Sequence, residues 1–445
     1  MKLIYNIKDK PSFGKLIVFA IQQLLAIMAA TLVVPVIIGN GMQPTAALFG
    51  AGIGTLVYIL FTKANSPVFL GSSFAFLGSM TAAFAGASTV ALGYLGLIMG
   101  AVFAGLVYVI IAAIVKIAGV NWINKLMPAV VIGPTVAIIG LSLAGNAIGD
   151  LQTAPAGGDS KIALICGLVT LAVTMLCATF GKGMIRLIPF ILGILSGYAV
   201  ATIFTVIGNV AGIDALKVIN FAPLADLTAN GVNLNTFVAL PEFTFLTALG
   251  GFKALDSAYV ASVAVAYVPV AFVVFAEHIA DHKSISTIIE KDLLEEPGLS
   301  RTLLGDGVGS MAGAIFGGCP NTTYGESVGC VAITGNASIV TIMTAAILAI
   351  AISFLTPFVA FVNTIPSCVM GGVCMALYGF IAVSGLKIIQ KVDLEKNRNL
   401  FVVSVILISG IGGLSLTFGA VSITTIACAL ILGILTNVML SKAES

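Results

Sequence analysis

The 445-residue chain is 59% hydrophobic and only 9% charged, against about 25% charged in ordinary soluble domains. Its mean hydropathy of +1.15 and its long, continuous apolar runs exclude a soluble globular protein, and also a β-barrel, whose strands alternate. A formal net charge of +2 singles out no class of partner, and no nucleic-acid partner is expected.

The chain therefore reads as an all-α polytopic membrane protein. At about 20 apolar residues per span, about fourteen transmembrane segments follow. They fall near 14–38, 44–62, 68–84, 90–115, 127–148, 161–181, 186–207, 257–281, 300–317, 321–335, 338–362, 367–386, 399–417 and 420–441. The apolar stretch after Lys15 is too long for a removable leader and lacks a cleavage site. With the N-terminus inside, nearly all Lys and Arg residues fall on the inner side, leaving Lys161, Lys217 and Lys253 outside. That bias predicts a multi-pass protein of the inner (plasma) membrane with both termini cytoplasmic. Trp122, the one tryptophan, falls beside an inner boundary, where an interfacial anchor is expected. The polar stretch 208–256 reads as a partly ordered external loop.

Seven cysteines form no CxxC pair and sit almost wholly in apolar runs. They predict small packing residues, with no disulfide framework and no metal site. No cofactor is expected.

The chain repeats itself. Met127-Pro128-Ala129-Val130-Val131-Ile132-Gly133 matches Ile365-Pro366-Ser367-Cys368-Val369-Met370-Gly371, and Pro67 with Gly71-Ser72-Ser73-Phe74 mirrors Pro320 with Thr322-Thr323-Tyr324-Gly325. Each pair is displaced by seven spans. Seven is odd, so the halves insert with opposite orientation, as in secondary transporters with inverted repeats. The third and tenth segments carry Pro, Gly, Ser, Thr and Asn in apolar surroundings. Such residues interrupt helices, and lipid cannot satisfy the freed backbone groups. Interrupted segments at corresponding places in two halves point to a substrate site at their junction.

Two carboxylates lie within spans: Glu277 in the eighth and Glu326 in the tenth. Ionisable groups there are functional by default. Positions i, i+4 and i+7 put Glu277, Asp281 and Ser284 on one helix face, with His278 and His282 on a neighbouring one. Glu277 has the makings of a proton carrier, its titration coupled to that of Asp281. His278 reads as a proton-coupling group or a buried packing residue, and His282 as a proton-coupling group or a solvated helix end. Asp306 reads as a residue at the start of the ninth span.

Phe275-Ala276-Glu277-His278-Ile279 and Gly318-Cys319-Pro320-Asn321-Thr322-Thr323-Tyr324-Gly325-Glu326 resemble the nucleobase–ascorbate transporter family, the second type of nucleobase–cation symporter, in its bacterial uracil-permease branch. The resemblance runs from Gln22-Gln23-Leu24 to Leu377-Tyr378-Gly379. It implies two inverted seven-segment repeats with short strands in the third and tenth segments. It also implies a core domain (1–120 and 257–364) and a gate domain (121–210 and 365–445), with 211–256 as the external loop. The substrate it implies is uracil, a small-molecule nucleobase, imported with a proton. Glu277, Glu326, the backbone amides of Phe74 and Gly325, and Tyr324 and Tyr378 would bind it. Glu277, Asp281, His278 and His282 would couple the proton, and a homodimer in the lipid bilayer is expected. The sequence departs from the family at Gln22-Gln23, at Asp281 in place of a histidine, and at Glu326-Ser327-Val328-Gly329. These departures leave open a sodium-coupled uracil symporter and a xanthine- or urate-type purine symporter. An anion carrier of the sulfate type would favour a cation near the broken segments, and none is present. No nucleophile–base pair suggests an enzyme.

Overall fold

The computed structural model describes residues 3–119, 128–229, 231–418 and 421–442, so Trp122 lies outside the described residues. The first half begins with α1 (Phe13–Ile38) and α2 (Pro44–Phe61). Strand β1 (Leu70–Ser72) then leads into α3 (Leu77–Ala85), and α4 (Val90–Ala118) follows. Next come α5 (Ala129–Ser142) with its continuation α6 (Ala144–Leu151), α7 (Ser160–Phe180) and α8 (Pro189–Ala211). The second half has α9 (Ser257–Ile289), α10 (Leu299–Gly317), strand β2 (Asn321–Thr323), α11 (Gly325–Thr334) and α12 (Ile339–Ile352). It ends with α13 (Ser367–Ile389), α14 (Asn397–Ile411), strands β3 (Leu416–Phe418) and β4 (Val421–Ile423), and α15 (Thr425–Met439).

Among the described residues, eight helical stretches are long and apolar enough to cross a membrane: α1, α2, α4, α5 with α6, α7, α8, α9 and α13. The protein is a multi-pass membrane protein of mainly helical fold. Helix α10 is different, because Gly305, Gly307, Gly309, Gly313 and Gly317 replace apolar bulk. These glycines let it press against α2 and α4. A Cβ on Gly54 would stand 2.7 Å from the Gly309 carbonyl oxygen, and a Cβ on Gly309 2.7 Å from that of Gly54. Small residues at such a seam replace the hydrophobic drive that lipid does not supply. Three pairs of corresponding elements from the two halves pack together: α2 with α10, α5 with α13, and β1 with β2.

The two strands are antiparallel, with Leu70 opposite Thr323, Gly71 opposite Thr322 and Ser72 opposite Asn321. Beyond the ladder, Ser73 N donates to Pro320 O (2.9 Å) and Tyr324 N donates to Phe69 O (3.2 Å). The interrupted segments thus satisfy each other's backbone within the protein, as the membrane interior requires. Gly71 is dictated by space: a Cβ there would lie 2.4 Å from the Tyr324 ring.

Several expected boundaries are corrected. The eighth span does not end at 281; α9 continues to Ile289. The segment 338–362 is broken into α12 and a short helix Thr356–Thr364, where Leu355 is extended and Pro357 follows. The last two spans are shorter than expected because β3 and β4 form an antiparallel pair between them, so strands are not confined to the third and tenth segments. The loop 208–256 carries short helices at Ala222–Ala229, Leu234–Phe237 and Thr244–Ala248. The N-terminal stretch is also tied down: Ala337 N donates to Tyr5 O, Ile339 N to Ile7 O (both 2.9 Å), and Ser338 Oγ to Asp9 O (2.6 Å).

Candidate functional site

A cavity of about 420 Å³ opens where the strands give way to helices, within the range of roughly 300–1,000 Å³ usual for small-molecule sites. One wall is polar. Ser73 and Phe74 follow β1, Thr323, Tyr324, Gly325 and Glu326 run from β2 into α11, and Glu277 and Asp281 come from α9. The opposite wall is largely apolar, with Ile132 and Val136 of α5, Phe190 of α8, and Leu377, Phe380 and Ile381 of α13.

Local structure explains the polar wall. Tyr324 caps α11 in an extended conformation, so Gly325 and Glu326 occupy its first turn. Amide N–H groups there have no helical partner, and the helix dipole favours a carboxylate such as Glu326 beside them. Tyr324 is held in place by its hydroxyl, which donates to Ser72 O at 2.6 Å. Asp281 Oδ2 accepts from Thr323 Oγ1 at 2.8 Å. None of Glu277, Asp281 and Glu326 takes part in an ion pair among the described residues. The wall is therefore an array of hydrogen-bond acceptors and amide donors facing an apolar surface.

Behind this wall, the two histidines stack on each other at 4.0 Å between ring centroids. His278 Nδ1 lies 2.6 Å from Asp306 Oδ2, and its Nε2 lies 3.0 Å from Thr302 Oγ1. His282 Nδ1 lies 2.8 Å from His278 O, which fixes the proton on that nitrogen. Its Nε2 is then the acceptor for Tyr58 OH at 2.6 Å, and Tyr58 OH in turn lies 2.6 Å from Ser66 Oγ. All these side chains are buried. They fasten α9, which carries Glu277 and Asp281, to α10 on one side and α2 on the other.

Comparison with known proteins agrees with this architecture. A family model described as "Permease family" matches residues 14–419. The chain is 38% identical to the uracil permease of Bacillus caldolyticus over 99% of this chain and 95% of that one. It is 36% identical to the uracil permease of Escherichia coli strain K12 over 96% and 92%. The chain belongs to this permease family. Among solved structures, the transmembrane domain of the cyanobacterial bicarbonate transporter BicA matches with a TM-score of 0.64 at 14% identity, covering 98% of this chain and all of that one. Murine Slc26a9, an anion transporter, matches with a TM-score of 0.66 at 11% identity, covering 98% and 69%. These two share the fold.

In this permease Glu277, Glu326, Phe74, Gly325, Tyr324 and Asp281 meet at one cavity. Three residues named with them are placed elsewhere. Tyr378 is not among the lining residues; it is 2% exposed and packs edge-on against Phe74, with ring centroids 6.2 Å apart. His278 and His282 lie behind the wall, and His282 is no solvated helix end, being 0% exposed. Ser284 is exposed and does not share the cavity with Glu277 and Asp281. Asp306 is not a helix-end residue but sits mid-helix in α10, bonded to His278. Sequence reading missed Thr323, Thr302, Tyr58 and Ser66 as partners. The i, i+4 spacing of Thr302 and Asp306 was the one available signal, since it aims both at a single neighbour.

Proposed function

We propose that this permease imports uracil, coupled to protons. The observation that carries the reading is the meeting of Glu277 and Glu326 with the amide-bearing turns at Phe74 and Gly325 in one cavity. Uracil presents two N–H donors and two carbonyl acceptors. Glu277 and Glu326 accept from the N–H groups, and the backbone amides of Phe74 and Gly325 donate to the carbonyls. Tyr324 and the apolar wall cover the ring, and Tyr378 acts through Phe74. That the similar proteins from Bacillus and Escherichia coli are uracil permeases supports uracil as the substrate.

A neutral ligand leaves the carboxylates free to carry the coupling proton. Glu277 takes it, with Asp281 beside it and His278 and His282 holding the helix that bears both. The two walls suggest how transport proceeds. A core domain (1–120 and 257–364) carries the polar wall, a gate domain (121–210 and 365–445) the apolar one, and one moves against the other around the bound nucleobase. The protein works as a homodimer of fourteen-span chains in the inner membrane, with both termini and most Lys and Arg on the cytoplasmic side.

The test is uptake of labelled uracil into proteoliposomes under an imposed proton gradient, for the native chain and Glu326→Gln, with unlabelled xanthine as competitor. Uptake that follows the proton gradient, resists xanthine and is lost in the variant supports the reading. Xanthine binding without uracil uptake would replace it with a purine symporter.

A further inference from the structure

The cavity is much longer than one nucleobase. Leu377, Phe380, Ser384 and Ile388 all line it, at i, i+3, i+7 and i+11 on one face of α13. At a rise of about 1.5 Å per residue they run for about 16 Å, far beyond a single six-membered ring. The Leu377 end lies beside the substrate wall, because the adjoining Tyr378 packs against Phe74. The Ile388 end lies away from it, in the last turn of α13 with Lys387. Ile132 of α5 stands level with Ile388, since a Cβ on the adjoining Gly133 would lie 3.0 Å from Ile389 N. Between the two ends, Phe380 keeps 59% of its surface exposed, although its ring meets Phe190 edge-on at 6.2 Å. The far part of the cavity therefore presents bare apolar surface.

The edges of uracil decide what that surface can take. With both N–H groups on carboxylates and both carbonyls on backbone amides, the C5–C6 edge is the one left without a polar partner. It carries only C–H groups and turns toward the apolar wall. Covering apolar surface with an apolar group is favourable. We propose that the far part of the cavity is a second subsite, which takes an apolar group attached to C5 or C6 of uracil. A benzyl group fits the description: its methylene allows a turn, and its ring can lie against Phe380 and Phe190. Such a ligand binds more tightly than uracil and is not carried, because a group wedged between the walls stops one from closing on the other. The same group on N1 or N3 deletes a donor and leaves a carboxylate unpaired, so those isomers are rejected. The inference rests on the uracil reading above and adds the orientation of the ring within it.

The test is displacement of labelled uracil from the detergent-purified full chain, measured by equilibrium dialysis. The competitors are unlabelled uracil and its 1-, 3-, 5- and 6-benzyl derivatives. We expect the 5- or the 6-benzyl compound to displace the label at concentrations about tenfold lower than uracil does, and the 1- and 3-benzyl isomers to fail. Ile388→Ser, at the end of α13 far from the carboxylates, is expected to remove that advantage while labelled uracil binds within about threefold of the native affinity. Gel filtration and thermal melting verify that the variant folds. In proteoliposomes the favoured compound, itself labelled, should block uracil uptake without accumulating. If uracil binds but both the 5- and the 6-benzyl compounds bind more weakly than uracil, the inference is overturned and the uracil reading stands. A benzyl advantage untouched by Ile388→Ser would overturn it too, by placing the group elsewhere, and so would accumulation of the benzyl compound. If labelled uracil does not bind the native chain, the uracil reading falls and takes the inference with it.

Discussion

His278 Nδ1 and Asp306 Oδ2 lie 2.6 Å apart with both side chains fully shielded, so one short bond joins α9 to α10 behind the candidate substrate wall. Removing one partner of a buried hydrogen bond leaves the other unsatisfied, at a cost of about 1–3 kcal/mol. Asp306→Leu is expected to lower the melting temperature in detergent sharply and to abolish uptake. Asp306→Asn, which keeps a hydrogen-bonding group beside Nδ1, should fold better. A leucine variant as stable as the native chain would show that the pair does not hold α9.

The second fastening predicts an energetic coupling. Tyr58 OH meets His282 Nε2 at 2.6 Å in full burial. In a double-mutant cycle, Tyr58→Phe and His282→Phe should each destabilise, with an interaction energy of about 0.5–3 kcal/mol between them. Strictly additive losses would mean that the contact contributes nothing beyond packing.

Gly71 tests the strand crossing. An added Cβ meets the Tyr324 ring at 2.4 Å and Thr31 Oγ1 at 2.9 Å. The ring cannot swing freely, because its hydroxyl is bonded to Ser72 O. Overpacking of this kind costs about 1–3 kcal/mol. Gly71→Ala should still insert and purify, yet bind labelled uracil at least tenfold more weakly by equilibrium dialysis. Unchanged affinity would detach the crossing from the site.

Thr323→Val removes the hydroxyl that donates to Asp281 Oδ2 while keeping the side-chain shape. A typical intramolecular hydrogen bond contributes about 0.5–1.5 kcal/mol. If Asp281 serves coupling, gradient-driven uptake should fall about tenfold while equilibrium binding of uracil changes less than threefold. Equal losses in both would move Asp281 from coupling to binding.

The interrupted segments were legible in the sequence because Pro67, Gly71 and Pro320 cannot continue a helix, and Glu277 and Glu326 because carboxylates are rare in apolar runs. Other features were hidden for a physical reason. Hydropathy sums the polarity of residues and is blind to their partners. It ended the eighth span at Asp281 and His282, although Thr323 and Tyr58 satisfy both side chains inside the protein. It likewise placed Asp306 at a helix end, because the mate that makes burial tolerable, His278, comes 28 residues earlier. The β3–β4 pair interrupts Leu416–Ile423, a stretch of Leu, Phe, Val and Ile that reads equally well as helix.

The crossing of β1 and β2 sets the order in which the protein is made. Ser72 receives its bond from Tyr324, 252 residues later. At roughly 5–20 residues per second of synthesis, the first interrupted segment waits roughly 10–50 s for its mate. During that time its backbone groups have no partner strand in the nascent chain, and oil offers none. Early segments must therefore be sheltered at the insertion machinery, or remain near water, until the second half emerges. A ribosome stalled before Asn321 would leave a chain that is threaded into the membrane but not folded, and open to proteolysis at the Pro67–Ser73 gap.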